Sequence, residues 1–193
     1  MAEKYSSNSY IPNLVILCKK LAEENNFINS CTDHFGKLLC TLVGQITHGN
    51  ILEIGTGYGV GTAWIISALS SEVDLYSIDI SNEQIDSVRS VIDQSNVHFI
   101  CDDWKAVLDK GPFKLVFVDV KSAKQEEAEL LYNLIESRGL LLIDDLTPEE
   151  YWPDEWKGRP DPVRDYWLNH PKMFANEILL TQREACIIAT KIE

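Results

Sequence analysis

The sequence predicts an α/β fold, a doubly wound and mostly parallel sheet with helices on both faces, and three observations predict it. From residue 50 onward, short apolar runs alternate with helical patterns, the signature of βαβ crossovers. The first of these runs, Ile51–Ile54, enters a loop with glycine at 55, 57, 59 and 61 and then a helix. At the far end, Ile178–Leu180 and Ala185–Thr190 flank Gln182-Arg183-Glu184 and read as an antiparallel hairpin closing the sheet.

The elements follow in order. Residues 1–10 are polar and read as a frayed end. Pro12 opens a helix whose apolar face is Leu14, Val15, Cys18, Leu21 and Ala22, and Asn25-Asn26 interrupts it. A second helix is expected over Thr32–Ile46, burying Phe35, Leu38, Leu39, Leu42, Val43 and Ile46. These N-terminal helices occupy residues 1–48, ahead of a turn at His48-Gly49-Asn50. Strand Ile51–Ile54 is followed by helix Gly61–Leu69, strand Asp74–Ile78, helix Asn82–Ile92 and strand Val97–Cys101. The Gly111-Pro112 turn leads into strand Phe113–Val118, a long helix over Ala123–Glu136, and a strand Leu140–Ile143 introduced by Gly139. Residues 147–171 break this rhythm, with five of the seven prolines and three of the five tryptophans. A short helix, Val163–Asn169, is expected inside them. The sum is a Rossmann-like sheet in a single domain, 1–193.

Composition bounds the function. The chain has 193 residues, 30 acids against 17 bases and a net charge of -13, with 45% hydrophobic residues. That is enough apolar material for a core and too much for a disordered acidic chain. The charge weighs against a polyanionic partner, so nucleic acid ranks below a small molecule. No apolar run reaches the roughly 18 residues of a membrane span, and no membrane partner is expected. The patch Ile11–Cys18 is interrupted by Asn13 and lacks a small-residue cleavage site. Cys18, Cys31, Cys40, Cys101 and Cys186 are odd in number and form no CxxC, which suits reduced thiols and a cytoplasmic location.

The chemistry concentrates at strand ends. The loop Glu53-Ile-Gly55-Thr56-Gly57-Tyr-Gly59-Val-Gly61 lies where open α/β sheets bind ligands. It fails the dinucleotide pattern G-x-G-x-x-G from Gly55, where Val60 falls, and from Gly57, where Thr62 falls. It also lacks the Lys of a phosphate loop. An anionic Glu53 would repel a pyrophosphate and suits a cationic or amine-bearing ligand; the alternative is a packing turn with a surface acid. Asp79, followed by Ile80, ends the second strand, where a carboxylate can accept both hydroxyls of a ribose. After the third strand come Asp102, Asp103 and Trp104. Asp102 can accept an adenine amine and Trp104 can lie against a ring, or the acids can cap a helix.

With these residues the chain resembles the class I S-adenosylmethionine-dependent methyltransferases over residues 32–190, and among them the catechol and caffeoyl-CoA O-methyltransferase-like enzymes. The resemblance implies S-adenosylmethionine as cofactor, its methionine part at the glycine loop and Glu53, its ribose at Asp79 and its adenine at Asp102. Asp33 and Gly36 are weaker matches for an acid and a glycine near the cofactor mouth.

Asp119 ends the fourth strand and Asp144-Asp145 the fifth, an oxygen-rich cluster suited to a hard divalent ion such as Mg²⁺. Without a cation such acids repel and one pKa rises, and solvated strand-end acids are the plainer reading. The resemblance implies the metal, although its Asp-Asn pair is Asp144-Asp145 here. It also implies a catalytic Lys where this chain has Ser122, with Lys121 and Lys124 on either side. The expected reaction is metal-assisted transfer of methyl to an oxygen of a small molecule. The alternatives are a tRNA or other nucleic-acid methyltransferase and a non-catalytic cofactor-binding protein. The segment 147–171 reads as a lid or a substrate-binding insertion in which Arg159 and Arg164 receive an anionic group or pair with nearby acids. Its aromatics cover a pocket or the surface of a homodimer.

Overall fold

Residues 10–193 are described in the structure, a computed structural model; the polar stretch read at residues 1–10 otherwise lies outside the described residues. Two helices come first, α1 (Asn13–Glu24) and α2 (Asp33–Val43). The Thr32 hydroxyl caps α2 by accepting from the Phe35 amide at 3.2 Å. The alternating region then runs β1 (Gly49–Ile54), α3 (Val60–Ile66), β2 (Val73–Asp79), α4 (Asn82–Arg89), β3 (Val97–Cys101) and β4 (Phe113–Val118). It continues through α5 (Lys121–Gln125), α6 (Ala128–Leu134), β5 (Ile135–Leu146), α7 (Pro162–Leu168), β6 (Met173–Leu179) and β7 (Ala185–Lys191).

The strands form one sheet in the order β3-β2-β1-β4-β5-β7-β6. The first five are parallel to their neighbours, and β7 pairs antiparallel with β5 and β6. The order reverses between β1 and β4, so the loops after these strands part there and open a crevice at their carboxyl ends.

Strand alternation divides the core in two. On β4, Leu115 and Phe117 pack with Phe35, Leu39 and Trp64 beneath α1–α4. Val116 and Val118 face the opposite side, with Ala123, Leu131 and Trp167. Gly36 of α2 lies flat on Trp64, and a Cβ there would fall 2.3 Å from the indole nitrogen. Its glycine therefore serves helix packing, and its neighbour Asp33 pairs with Lys19 at 2.5 Å. Neither lines the cavity at the glycine loop.

The expected helix Ala123–Glu136 is two short ones, with a break at Glu126-Glu127. In α5 the Lys124 side chain turns inward, and after the break α6 lays Ala128, Leu131 and Leu134 on the sheet. The chain enters β5 at Ile135, before Gly139 rather than after it. Gly139 sits inside the strand at an irregularity in the β4–β5 register, where a Cβ would meet the Phe113 carbonyl at 2.9 Å. A glycine that permits close backbone approach inside a strand reads, in sequence, like a boundary. Among the described residues no helix is long and apolar enough to cross a membrane, and all five cysteines are free.

Candidate active site

The crevice holds two cavities that share a wall. The first, about 270 Å³, lies between the glycine loop and the segment joining α1 to α2. Glu53, Gly55, Thr56, Gly57, Asp79 and Asp119 all line it. Glu53 stands between Leu52 and Ile54 on β1, with its side chain on the α3 side of the sheet and fully buried. One carboxyl oxygen accepts from Thr62 Oγ1 at 2.5 Å and Ser77 Oγ at 2.6 Å. The other has no partner among the described residues. A Cβ on Gly61 would stand 2.6 Å from that oxygen, so only glycine fits there. Burial pushes the Glu53 carboxyl up to about 8, against the lowering effect of the two hydroxyls. Burial thus favours the protonated acid, and a positive charge beside it favours the anion.

Asp79 is tied to the loop it follows in space. Its carboxylate accepts from the Gly57 amide at 2.9 Å and from the Ser81 amide at 3.0 Å. Gly57 has φ 51°, the left-handed region that lets this amide turn toward the acid. The roof of the cavity is Phe27, Asn29, Ser30 and Cys31. Sequence reasoning missed these residues; the Asn25-Asn26 stop, with Asn26 at φ 54°, was the signal that the chain turns back there. The Thr32 hydroxyl also bonds the carboxylate of Glu184 in the β6–β7 turn.

The remaining cofactor candidates do not line this cavity. Gly59, at φ 79°, starts α3 and lies against Val88 and Cys18. Ile80 is 78% exposed on the rim beside Asp79. Asp102 is exposed and accepts from the Asp103 amide, and Asp103 caps the turn Trp104–Val107 through the Lys105 amide. Trp104 is buried in the core with Val107 and Val116. That corrects its reading as a ring-stacking wall: the turn that Asp103 caps directs the indole inward.

The second cavity, about 570 Å³, continues from Asp119 and Asp145 toward the 147–171 segment. Lys121, Lys124, Trp152, Trp156, Arg159 and Arg164 line it. Asp145 adopts φ 60°, a conformation a short acid tolerates, and this kink sets its carboxylate beside that of Asp119. Burial and Asp145 hold Asp119 up at about 7, against the pull of Lys124. Asp144 is 2% exposed, lines neither cavity, and is pushed up to about 8 by burial. Lys124 is buried and donates to Asp119 at 3.4 Å and to the Asp144 carbonyl at 2.8 Å.

These residues do not fit the expected Mg²⁺ site. Asp144 lines neither cavity, an ammonium already stands against Asp119, and no group of three or more Asp, Glu, His or Cys among the described residues is arranged to hold a metal ion. The fit to S-adenosylmethionine is better. Glu53 and Ser30, each with a partnerless oxygen, both line the glycine-loop cavity, and such buried oxygens call for a donor.

The profile of a family described as a methyltransferase domain matches residues 52–146, from β1 through the Asp144-Asp145 corner. This is the class I methyltransferase fold. The matched region carries the glycine loop and acids that line the two cavities, Glu53, Asp79, Asp119 and Asp145. Solved structures agree in fold. An O-methyltransferase from Bacillus cereus in complex with SAH is 21% identical, with a TM-score of 0.82, covering 98% of this chain and 96% of that one. The O-methyltransferase TomG from Streptomyces achromogenes, in complex with SAM, is 18% identical at a TM-score of 0.81, covering 100% and 95%. An SAH-bound methyltransferase from Podospora anserina is 17% identical at 0.70, covering 96% and 92%. No curated protein matches the chain in sequence.

Proposed function

We propose that this methyltransferase moves the methyl group of S-adenosylmethionine to an oxygen of a small molecule. The observation that carries the reading is the shared wall. Asp119 and Asp145 line both the glycine-loop cavity and the larger one beside it, so a group held in either meets the other at these acids. When bound, S-adenosylmethionine supplies an electrophilic methyl on a sulfonium. Asp79 and the Gly57 turn hold the ribose end in this reading, and Glu53 and Ser30 receive the amine.

In the second cavity, Asp119 takes the proton of the acceptor hydroxyl on a carboxylate oxygen. Its pKa near 7 suits a base working at neutral pH. The Lys124 ammonium, 3.4 Å away, compensates the charge that the deprotonated oxygen carries, in a buried setting where such a charge counts for more than in water. The expectation of metal assistance gives way here to a fixed lysine, and Lys121, exposed at the mouth, is left free for the acceptor. Segment 147–171 forms the outer wall of the cavity and positions the acceptor for in-line approach.

The test is transfer from methyl-labelled S-adenosylmethionine to a panel of phenols and hydroxy acids, with tRNA alongside. Label in the phenols or hydroxy acids supports the reading, and label in tRNA alone replaces it. Calorimetry that detects no binding of S-adenosylmethionine or SAH overturns it.

A further inference from the structure

Among the described residues Lys124 is the one buried lysine, 8% exposed. Its helix does not demand this. α5 is five residues long, and its other lysine, Lys121, stays exposed. A buried ammonium keeps its charge only where protein oxygens replace its water. Here the Asp119 carboxylate accepts from it at 3.4 Å and the Asp144 carbonyl at 2.8 Å. Asp145, kinked at φ 60°, adds a second carboxylate beside Asp119. Asp144 offers only its backbone, because its side chain is buried and lines neither cavity. Two carboxylates and a carbonyl are also what a hard divalent ion selects, since Mg²⁺ commonly takes one or two carboxylates and keeps several waters. The other buried cation among the described residues cannot stand in for Lys124. Arg164 lines the same cavity but is taken by Glu177, Asp161 and the Thr147 carbonyl.

We propose that the Lys124 ammonium replaces a divalent ion at this site, so that the native protein refuses Mg²⁺ and Mn²⁺ and the same oxygens accept them once the ammonium is removed. The ammonium is a compact point charge on a flexible stem, and the stem ties it to α5. A dication entering beside it meets a like charge a few ångströms away, in a setting where water screens poorly. With the ammonium gone, Asp119 and Asp145 are two adjacent carboxylates that repel each other, and a dication relieves that repulsion. Two of the three ammonium N–H bonds are engaged, which leaves the third for a ligand. A group in the second cavity therefore meets a hydrogen-bond donor at this point. Cation binding that follows Lys124 stands whether or not any acceptor is methylated, so the proposal does not rest on the methyl-transfer reading.

The experiment titrates Mn²⁺ into the full chain and follows the paramagnetic resonance signal of the free ion, with melting temperature as a second readout. Lys124→Ala is expected to bind one Mn²⁺ with a Kd of roughly 0.1–1 mM, the weak end of oxygen-ligand sites. Its melting temperature should rise with Mn²⁺, and Mg²⁺ should displace the bound ion. The native protein is expected to bind at least about tenfold more weakly, and Lys124→Arg, which keeps the charge, to behave as the native protein does. Asp119→Asn added to Lys124→Ala should abolish the uptake, which locates the ion. Lys124→Gln, shorter and neutral, carries the same test if Lys124→Ala does not fold. Mn²⁺ binding by the native protein that Asp119→Asn removes overturns the proposal, because the ion then enters with the ammonium in place. A folded Lys124→Ala or Lys124→Gln that takes up no more Mn²⁺ than the native protein overturns it as well.

Discussion

Glu53 makes the folded protein lose stability as pH rises through neutrality. Its carboxyl is held at about 8 in the native state against an ordinary 4.5. Below about pH 4.5 both the folded and the unfolded chain carry the proton, and the group contributes nothing to the pH dependence. Between the two values the native state keeps a proton that the unfolded state has released. Stability then falls by about 1.4 kcal/mol per pH unit. Above about 8 both states are ionised and the loss stays constant. Asp119 and Asp144 are raised as well, so the native slope alone does not isolate Glu53. Glu53→Gln does. Its amide oxygen can accept from Thr62 and Ser77 as the carboxyl does, and it does not titrate. Urea unfolding of both proteins at about pH 5.5 and 7.5 is the assay; the native protein is expected to lose up to about 3 kcal/mol more than the variant over that interval. Parallel pH dependences for the two proteins would refute the reasoning.

Five further outcomes follow from the same geometry. Because ionised Glu53 is the form that receives an amine, S-adenosylmethionine should bind more tightly as pH rises toward 8.5, roughly the range set by linkage, and Glu53→Gln should flatten that dependence in calorimetry. Gly61→Ala pushes a methyl against Glu53 and should cost about 1–3 kcal/mol, read as a lowered melting temperature. Asp119→Asn should lower the transfer rate by about 10²–10⁴-fold with little change in SAH affinity; an equal loss of affinity would show that its role is structural. Arg164→Ala strands Glu177 and Asp161 and should cost about 3–5 kcal/mol in urea unfolding. Treatment with EDTA should leave the transfer rate unchanged, since Lys124 already stands against Asp119.

The alternation of apolar runs was enough to read the parallel sheet, because each buried strand needs several consecutive apolar residues. Strands β3 and β4 match their sequence reading residue for residue. The helix after β4 could not be read as two, because Lys124 resembles any surface lysine until Asp119 and the Asp144 carbonyl are seen to hold it. At the site, Glu53, Asp79 and Asp119 were legible from their places at strand ends, and they do meet at one cavity. What sequence position does not disclose is side-chain direction. Strand alternation carries Asp144 inward, and the kink at Asp145 turns the next acid out. Local periodicity likewise gives no sign that Trp104 enters the core while Trp156 remains half in solvent.

The bond from Thr32 to Glu184 joins a helix near the beginning of the chain to a turn near its end. It fastens the strip over the cofactor-side cavity to the last hairpin. With S-adenosylmethionine in that cavity, as proposed, this bond would help to hold the strip over it. Trimming or tagging the C-terminal hairpin should therefore register first as faster escape of the nucleoside, on the opposite side of the sheet from the helices that the trimmed strands support.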